Sequence, residues 1–201
     1  MAINSRQSTA SRQAEIIATV VRLSAERNPA DITTTEIAKA MCVTQGALFR
    51  HFATKEAIRL AVVEWIEAQL MGELMAARDS ASDPLTGLKA MFMAHVRFTT
   101  KYPGVPRLIF AELQQPDTSP VRQHVRKIMQ HYRQNLAQSL AAAIAHKLIR
   151  ADVHCQSAAA LFLGAIQGLV IQSMLSGATA EIEQQAEGVF RLYLAGLGAP
   201  S

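Results

Sequence analysis

Apolar residues recur along this chain with the spacing of amphipathic helices, and short polar segments rich in proline, glycine or asparagine separate them. No segment alternates apolar and polar residues over the length of a strand. The pattern therefore predicts an all-α protein of about nine helices, with no sheet. The predicted bounds of the longer helices are 9–27, 54–80, 83–101, 121–149, 152–175 and 180–197.

Residues 33–52 predict two short helices joined by a tight turn. Thr33 and Glu36 have the spacing of a capping box, and Thr44 stands where an N-cap would start the next helix. Thr54 would cap the helix after that one. This arrangement is typical of a helix-turn-helix, whose second helix enters the major groove of DNA.

The residues of this motif divide into an inner and an outer face. Ala38 is small enough for a close helix crossing, and its apolar neighbours would fix that crossing: Ile37, Met41, Val43 and Leu48. The outer face, 44–47, carries small or hydrogen-bonding side chains, among them Gly46, which costs a helix about 1 kcal/mol relative to alanine. An ordinary helical hairpin would share the inner face but would not need that glycine.

The chain resembles the TetR/AcrR family of bacterial transcriptional regulators over roughly residues 10–60. The matching segments are 34–38, 43–52 and 54–56. The resemblance implies a nine-helix protomer, a homodimer and a ligand-responsive C-terminal part. It divides the chain into a helix-turn-helix DNA-binding domain at 1–55 and a helical effector-binding and dimerisation domain at 56–201.

The resemblance also assigns contacts with double-stranded DNA. It places base edges opposite Gln45, Gly46, Ala47 and Phe49. It places phosphates opposite Thr34, Thr44, Arg50, His51 and Lys55. A glutamine can bond to adenine through two hydrogen bonds, and an alanine can touch a thymine methyl group, whereas phosphate contacts set register and affinity.

Two positions depart from the family pattern. Phe49 replaces a frequent tyrosine and so lacks a hydroxyl group, and Cys42 replaces the glycine usual in the turn. A cysteine with left-handed backbone at that position would cost about 1–2 kcal/mol. Cys42 is either a tolerated substitution or a redox-sensitive residue.

Composition agrees with a globular intracellular protein. Of 201 residues, 50% are apolar and 18% are charged, which provides a large core and excludes global disorder. The net charge of +4 favours anionic partners. Two distant cysteines and the absence of an apolar leader predict a cytoplasmic protein. The most apolar segment, 157–175, contains two glycines and two glutamines, so we interpret it as a buried or interfacial helix rather than a membrane span.

The last two helices are candidates for the dimer interface that the resemblance implies, although they could instead pack only within their own protomer. The candidate interface residues are Leu161, Gly164, Ala165, Gly168, Leu169, Phe190, Tyr193, Leu194 and Leu197.

Aromatic residues and methionines in the middle of the chain could form an effector pocket or simply a core. The candidates are Trp65, Met71, Met75, Met91, Phe92, His95, Phe98, Phe110, Met129 and Tyr132. Residues 97–150 also hold nine lysines and arginines against two acidic residues. This basic stretch is either a solvated face, a site of attraction for an anionic effector, or an addition to DNA affinity.

These observations favour a homodimeric, DNA-binding transcriptional regulator, a repressor released from a palindromic operator by a small-molecule effector. The alternative is an architectural or global DNA-binding protein without an effector. We expect no enzyme and no cofactor, because the chain has no glycine-rich phosphate loop, no His-x-x-x-His pair and no pair of Glu-x-x-His motifs. A metal site is not expected, since the histidines and Cys155 lack close ligand spacing.

Overall fold

The computed structural model describes residues 8–177 and 181–199, and this part of the chain is helical without any strand. The prediction of an all-α chain with about nine helices is confirmed. A 3-10 turn, Pro29–Asp31, follows the first helix. The helices are α1 (Thr9–Glu26), α2 (Thr34–Ala40), α3 (Gln45–Phe49), α4 (Lys55–Asp79), α5 (Pro84–Lys101), α6 (Gly104–Leu113), α7 (Pro120–Ala145), α8 (Cys155–Ser176) and α9 (Ile182–Gly196).

The starts of α2, α3, α4 and α5 follow the capping chemistry read from the sequence, whereas α8 begins at Cys155 after its N-cap His154 and not at the predicted residue 152. Thr33 and Glu36 form both halves of a capping box. The hydroxyl groups of Thr44 and Thr54 accept backbone N–H bonds of 3.2 and 3.0 Å at the starts of α3 and α4. Asp83 does the same for α5. The predicted start of the last helix at Ala180 lies outside the described residues.

Three helices end in Schellman motifs, in which a left-handed residue satisfies the last carbonyl groups. Gly198 occupies that position after α9, but Cys42 occupies it after α2 with a φ of 55° and Lys147 after α7 with a φ of 58°. The prediction that α7 continues to Ile149 is therefore wrong. No glycine marks its true end, because a lysine has taken the left-handed position.

The chain forms two compact units. The first comprises the residues up to Ile66 together with Tyr102–Val125, and the second comprises Glu67–Lys101 and the residues from Arg126 onward. Both α4 and α7 begin in the first unit and end in the second. The expected division after residue 55 thus differs from the division by contacts, which adds the start of α4, all of α6 and the start of α7 to the helix-turn-helix.

In the first unit, α6 packs directly on α1. Gly104 lies so close to α1 that an added Cβ would stand 2.0 Å from the carbonyl oxygen of Val21. A second connection joins α6 to α4, where the Arg59 guanidinium forms two hydrogen bonds with the buried carboxylate of Glu112. These hydrogen bonds raise the pKa of Arg59 above its usual value. A residue other than glycine at 104 would push the two helices apart.

The second unit is built around an aromatic cluster on α5, α8 and α9. The ring centroids of Phe92 and Phe162 are 5.1 Å apart, and Phe190 lies at the same distance from Phe92. The hydroxyl group of Tyr193 donates to the carbonyl oxygen of Ala158 at 3.1 Å. These contacts join α8, which by length and composition could cross a membrane, to a bundle with α5 and α9.

Substituting Cys42 by glycine should stabilise the protein. Glycine adopts a positive φ without the steric penalty of a Cβ, so we expect a gain of about 1 kcal/mol and a rise in Tm of about 3 °C. Thermal unfolding followed by circular dichroism measures it. Cys42→Ala retains a Cβ and is the matched control; an equal gain from alanine would show that backbone strain is not the cause.

Candidate nucleic-acid interface

The helix-turn-helix is held by the small core that its sequence predicts. Ile37, Ala38 and Leu48 are at most 3% exposed, whereas Met41 and Val43 at the edge of this core are half-buried. Packing on these side chains fixes α3 against α2. The opposite face of α3 is left to solvent.

The four positions expected at base edges are placed unequally. Gln45 and Gly46 are exposed and Phe49 is 41% exposed, but Ala47 is half-buried. A Cβ added to Gly46 would meet no atom closer than the Thr44 hydroxyl oxygen, at 4.0 Å. Packing within the protomer therefore gives no reason for a glycine at that position.

Hydrogen bonds connect the exposed side chains of α2 and α3. The Gln45 Nε2 donates to the Thr34 Oγ1 at 2.6 Å. Beside Thr34, the Thr33 backbone N–H donates to Glu36 at 2.8 Å, and Arg27 donates to the same carboxylate at 2.7 Å. Hydrogen bonds from Thr33, with a smaller contribution from Arg27, lower the pKa of Glu36, which is therefore charged at neutral pH.

The expected phosphate ligands lie around these residues at the surface. Thr44, Arg50 and Lys55 are exposed, and Thr34 and His51 are half-buried. The Nδ1 atom of His51 is buried and makes no hydrogen bond with the described part of the chain. Its imidazole can therefore approach a phosphate only through the other ring nitrogen.

Two residues of α1 lie beside this surface and were not identified from the sequence as part of it. The Gln13 side chain donates to the His51 carbonyl oxygen at 3.0 Å. Arg12, paired with Glu15 at 2.8 Å, lines a pocket of about 200 Å³ beside Ala47 and Arg50. No local spacing could reveal them, because 38 residues separate Gln13 from His51.

The ten residues considered for an effector pocket are divided between the two units. Trp65 and Phe110 lie in the first unit, where the Trp65 ring packs edge-on against Tyr102 at 5.2 Å. The other eight lie in the second unit, and four of them are fully buried: Met91, Phe92, Phe98 and Tyr132. Phe92 belongs to the aromatic cluster and is thus core.

Within this apolar part of the second unit, His95 and Tyr132 form a polar pair. The His95 Nδ1 lies 3.2 Å from the Tyr132 hydroxyl oxygen. Desolvation lowers the pKa of His95 to about 4, and burial raises the pKa of Tyr132. At neutral pH both groups are uncharged, so the tyrosine can donate its hydrogen to the imidazole.

The candidate interface residues on α8 and α9 require a correction. Leu169, Phe190, Tyr193 and Leu197 are at most 7% exposed and pack within their own protomer. Leu161, Gly164 and Gly168 are exposed as an outer face requires, and Ala165 and Leu194 are half-buried. Four other large apolar side chains are exposed on these helices: Ile171, Met174, Leu175 and Leu192.

The acidic, histidine and cysteine side chains do not assemble into a metal site in the described residues. Both cysteines are free thiols, with Cys42 exposed and Cys155 half-buried.

Two family models match the chain. Residues 16–62 match the model described as bacterial regulatory proteins of the tetR family, and residues 110–189 match the model for the C-terminal domain of tetracyclin repressor-like proteins. The first match covers the whole helix-turn-helix and the start of α4.

Among curated proteins, the chain is similar to the nucleoid occlusion factor SlmA of two bacteria. It is 28% identical over 123 residues to the Haemophilus ducreyi protein and 30% identical over 105 residues to that of Actinobacillus pleuropneumoniae. The matched residues span 61% and 52% of the lengths of these relatives, and the same shares of this chain.

The solved structures with the same fold include regulators bound to acyl-CoA. The fatty acid degradation regulator FadR of Bacillus halodurans has a TM-score of 0.82 and 18% identity, covering 94% of this chain and 97% of its own. The Bacillus subtilis FadR complex with stearoyl-CoA has a TM-score of 0.79 and 18% identity, and the match covers 91% of this chain and 98% of that one. AibR in complex with isovaleryl coenzyme A and operator DNA has a TM-score of 0.70 and 21% identity, and the match covers 79% of this chain and 85% of that one.

Replacing Gly46 by alanine should preserve the fold and weaken DNA binding at least tenfold. The added methyl group has space within the protein and favours the helix by up to about 1 kcal/mol, but it would keep DNA away from the backbone of α3. Thermal unfolding and fluorescence anisotropy with a selected DNA duplex measure the two effects. Gly72→Ala, on an exposed part of α4 with similar free space, is the matched control; undiminished DNA affinity in Gly46→Ala would remove Gly46 from the interface.

Proposed function

Since this chain belongs to the TetR family of bacterial regulators, we propose that it is a homodimeric, cytoplasmic repressor that leaves a palindromic operator when a small molecule binds its second unit. The observation that carries the DNA-binding part of this proposal is the outer face of α3. Gln45 and Gly46 lie there exposed, and the glycine has no role in the packing of the protomer.

The outer face of α8 supports the dimer. The helix carries no charged residue, and several of its exposed residues recur at helical spacing: Ala160, Leu161, Gly164, Gln167, Gly168, Ile171 and Leu175. Leu175 is 76% exposed, as is Leu192 on α9. A second copy packed on this surface would remove large apolar side chains from water, and two-fold symmetry would present two recognition helices.

The second unit supports a ligand that is both apolar and anionic. It contains the apolar residues around His95 and Tyr132, and α7 presents the exposed cations Lys127 and Arg133. An acyl-CoA thioester combines an apolar chain with a phosphorylated head. The complexes of FadR with stearoyl-CoA and of AibR with isovaleryl coenzyme A make this class the first to test.

The proposed switch is a shift between two conformations. A ligand moves such an equilibrium only by binding one conformation more tightly than the other. The helix α4 begins at Lys55 in the first unit and ends at Asp79 in the second. We propose that the ligand-bound conformation places α4 so that the two recognition helices no longer match successive major grooves, which lie about 34 Å apart on one face of DNA.

The dimer and the operator can be tested together. Selection from random DNA should yield a palindrome, and Gly168→Leu should give a folded monomer with much weaker binding to it, because the larger side chain blocks the approach of a second α8. Sedimentation velocity and anisotropy measure this. Gly72→Leu is the matched control, since both glycines have free space within the protomer. A Gly168→Leu dimer with unchanged affinity would place the interface elsewhere.

Acyl-CoA should release the DNA. We expect at least one acyl-CoA, in a series from isovaleryl-CoA to stearoyl-CoA, to weaken binding to the selected duplex tenfold or more, a coupling of about 1.4 kcal/mol. Anisotropy titrations measure it, with free coenzyme A and the free fatty acids as controls. If no acyl-CoA changes the affinity for the selected duplex, the acyl-CoA switch is rejected, whereas the proposal that the protein binds DNA is unaffected.

The second candidate function is an architectural or global DNA-binding protein without an effector. The similarity to nucleoid occlusion factors favours it. Such a protein would bind many sites along a chromosome and would keep its DNA affinity in every acyl-CoA titration. Chromatin immunoprecipitation distinguishes the two, since a dedicated repressor should occupy a few promoters.

A further inference from the structure

The hydrogen bond between Gln45 and Thr34 joins two side chains that the family resemblance assigned to different tasks, base reading and phosphate binding. Gln45 is the first residue of α3, and Thr34 is the first residue of α2. The Gln45 Nε2 donates to the Thr34 Oγ1 at 2.6 Å, although the residues are 11 positions apart. The amide of the base reader is therefore already held by a neighbour before any DNA is present.

The backbone around Thr34 is fixed by its neighbours at the start of α2. Thr33 caps α2, and the Glu36 carboxylate accepts from both the backbone N–H and the hydroxyl group of Thr33, at 2.8 and 2.9 Å. Arg27 holds that carboxylate from the other side. A β-branched threonine has few rotamers available, so its hydroxyl group presents a nearly fixed acceptor.

The hydrogen bond between Gln45 and Thr34 leaves unused the donor and acceptor groups that DNA recognition needs. A glutamine amide has two N–H donors and one carbonyl oxygen, and only one N–H is used by Thr34. The second N–H and the oxygen match the N7 acceptor and the N6 donor of adenine in the major groove. The threonine hydroxyl group still has its own hydrogen to donate to a phosphate oxygen.

We propose that Thr34 is a positioning residue for Gln45: its hydroxyl group accepts from the Gln45 amide and donates to a DNA phosphate, so that one phosphate contact sets the base preference at the neighbouring pair. This inference rests on the proposed sequence-specific binding of DNA. An unrestrained amide can rotate by half a turn and exchange its donor and acceptor. A hydroxyl group whose hydrogen is donated to a phosphate can only accept from the amide, so the bond to Thr34 then keeps the Gln45 Nε2 beside it and restricts the bases with which Gln45 can pair.

The experiment compares affinity with base preference. Gln45→Ala first identifies the base pair at which discrimination is lost, using the duplex selected by the wild type. Anisotropy then gives the Kd of each variant for four duplexes that differ only at that pair. Wild type should prefer one base pair about tenfold or more. Thr34→Val should bind all four more weakly and lose most of that preference, whereas Thr34→Ser, which keeps the hydroxyl group, should retain it.

Two further variants separate positioning from simple phosphate binding. Lys55→Ala should weaken binding to all four duplexes by the same factor and flatten the dependence on salt, leaving the preference intact. Thr34→Val combined with Gln45→Ala should show no further loss of preference beyond Gln45→Ala alone. Circular dichroism melts verify that each variant is folded, with Thr34→Ala as a second variant should the valine destabilise α2.

The outcomes are distinct. An unchanged base preference in a folded Thr34→Val or Thr34→Ala, with uniformly weaker binding, would reduce Thr34 to a phosphate ligand and overturn the inference. So would a Gln45→Ala variant that retains every base preference of the wild type. Failure of the wild type to select any sequence from random DNA would instead reject the proposed function, and the inference with it.

Discussion

The close approach of α6 to α1 determines which segments of this chain form the first compact unit. Only a glycine fits at position 104, where a Cβ would overlap the carbonyl oxygen of Val21 at 2.0 Å. The resulting contact between backbones leaves little room for sliding, because packed interiors respond to strain in discrete steps rather than continuously. The DNA-binding unit therefore includes a segment from the middle of the sequence, 102–125. A ligand signal that reached α6 would already be inside the unit that reads DNA.

The ion pair between Arg59 and Glu112 also holds α6 within the first unit. Burying a carboxylate is costly unless a partner satisfies it, and removal of one partner from such a pair is strongly destabilising. Glu112 is 4% exposed and receives two hydrogen bonds from Arg59 on α4. Through this pair α6 is joined to the start of α4, as it is joined to α1 through Gly104. The helix α6 thus belongs to the same compact unit as the helix-turn-helix, although it lies far from it in sequence.

Local chemistry made the helix starts predictable, and its absence explains the errors. Thr33, Thr44 and Thr54 cap helices as their spacing indicates, since an N-cap involves only neighbouring residues. The end of α7 was missed because Lys147 adopts a conformation that normally belongs to glycine. The position of α6, the pairing of Gln13 with His51 and the burial of Phe190 depend on residues far apart in the chain, which periodicity cannot bring together. The residues expected to face DNA could be proposed from the sequence because they lie within one short motif.

Exposed helical glycines indicate which surfaces of this protomer could bind a partner. A helical glycine costs about 1 kcal/mol relative to alanine, and Gly104 offsets that cost through a contact inside the protein. Gly164 and Gly168 have no such contact, since a Cβ at either would meet open space, and a Cβ at Gly46 would meet only the Thr44 hydroxyl oxygen at 4.0 Å. Free space alone does not identify an interface, because Gly72 has it as well. The distinction lies in the surroundings: Gly46 follows the exposed Thr44 and Gln45, and the two glycines of α8 lie one turn apart on an uncharged, exposed face. The first surface suits the base edges of DNA and the second suits another copy of α8, so the two proposed partners account for glycines that the protomer itself does not need.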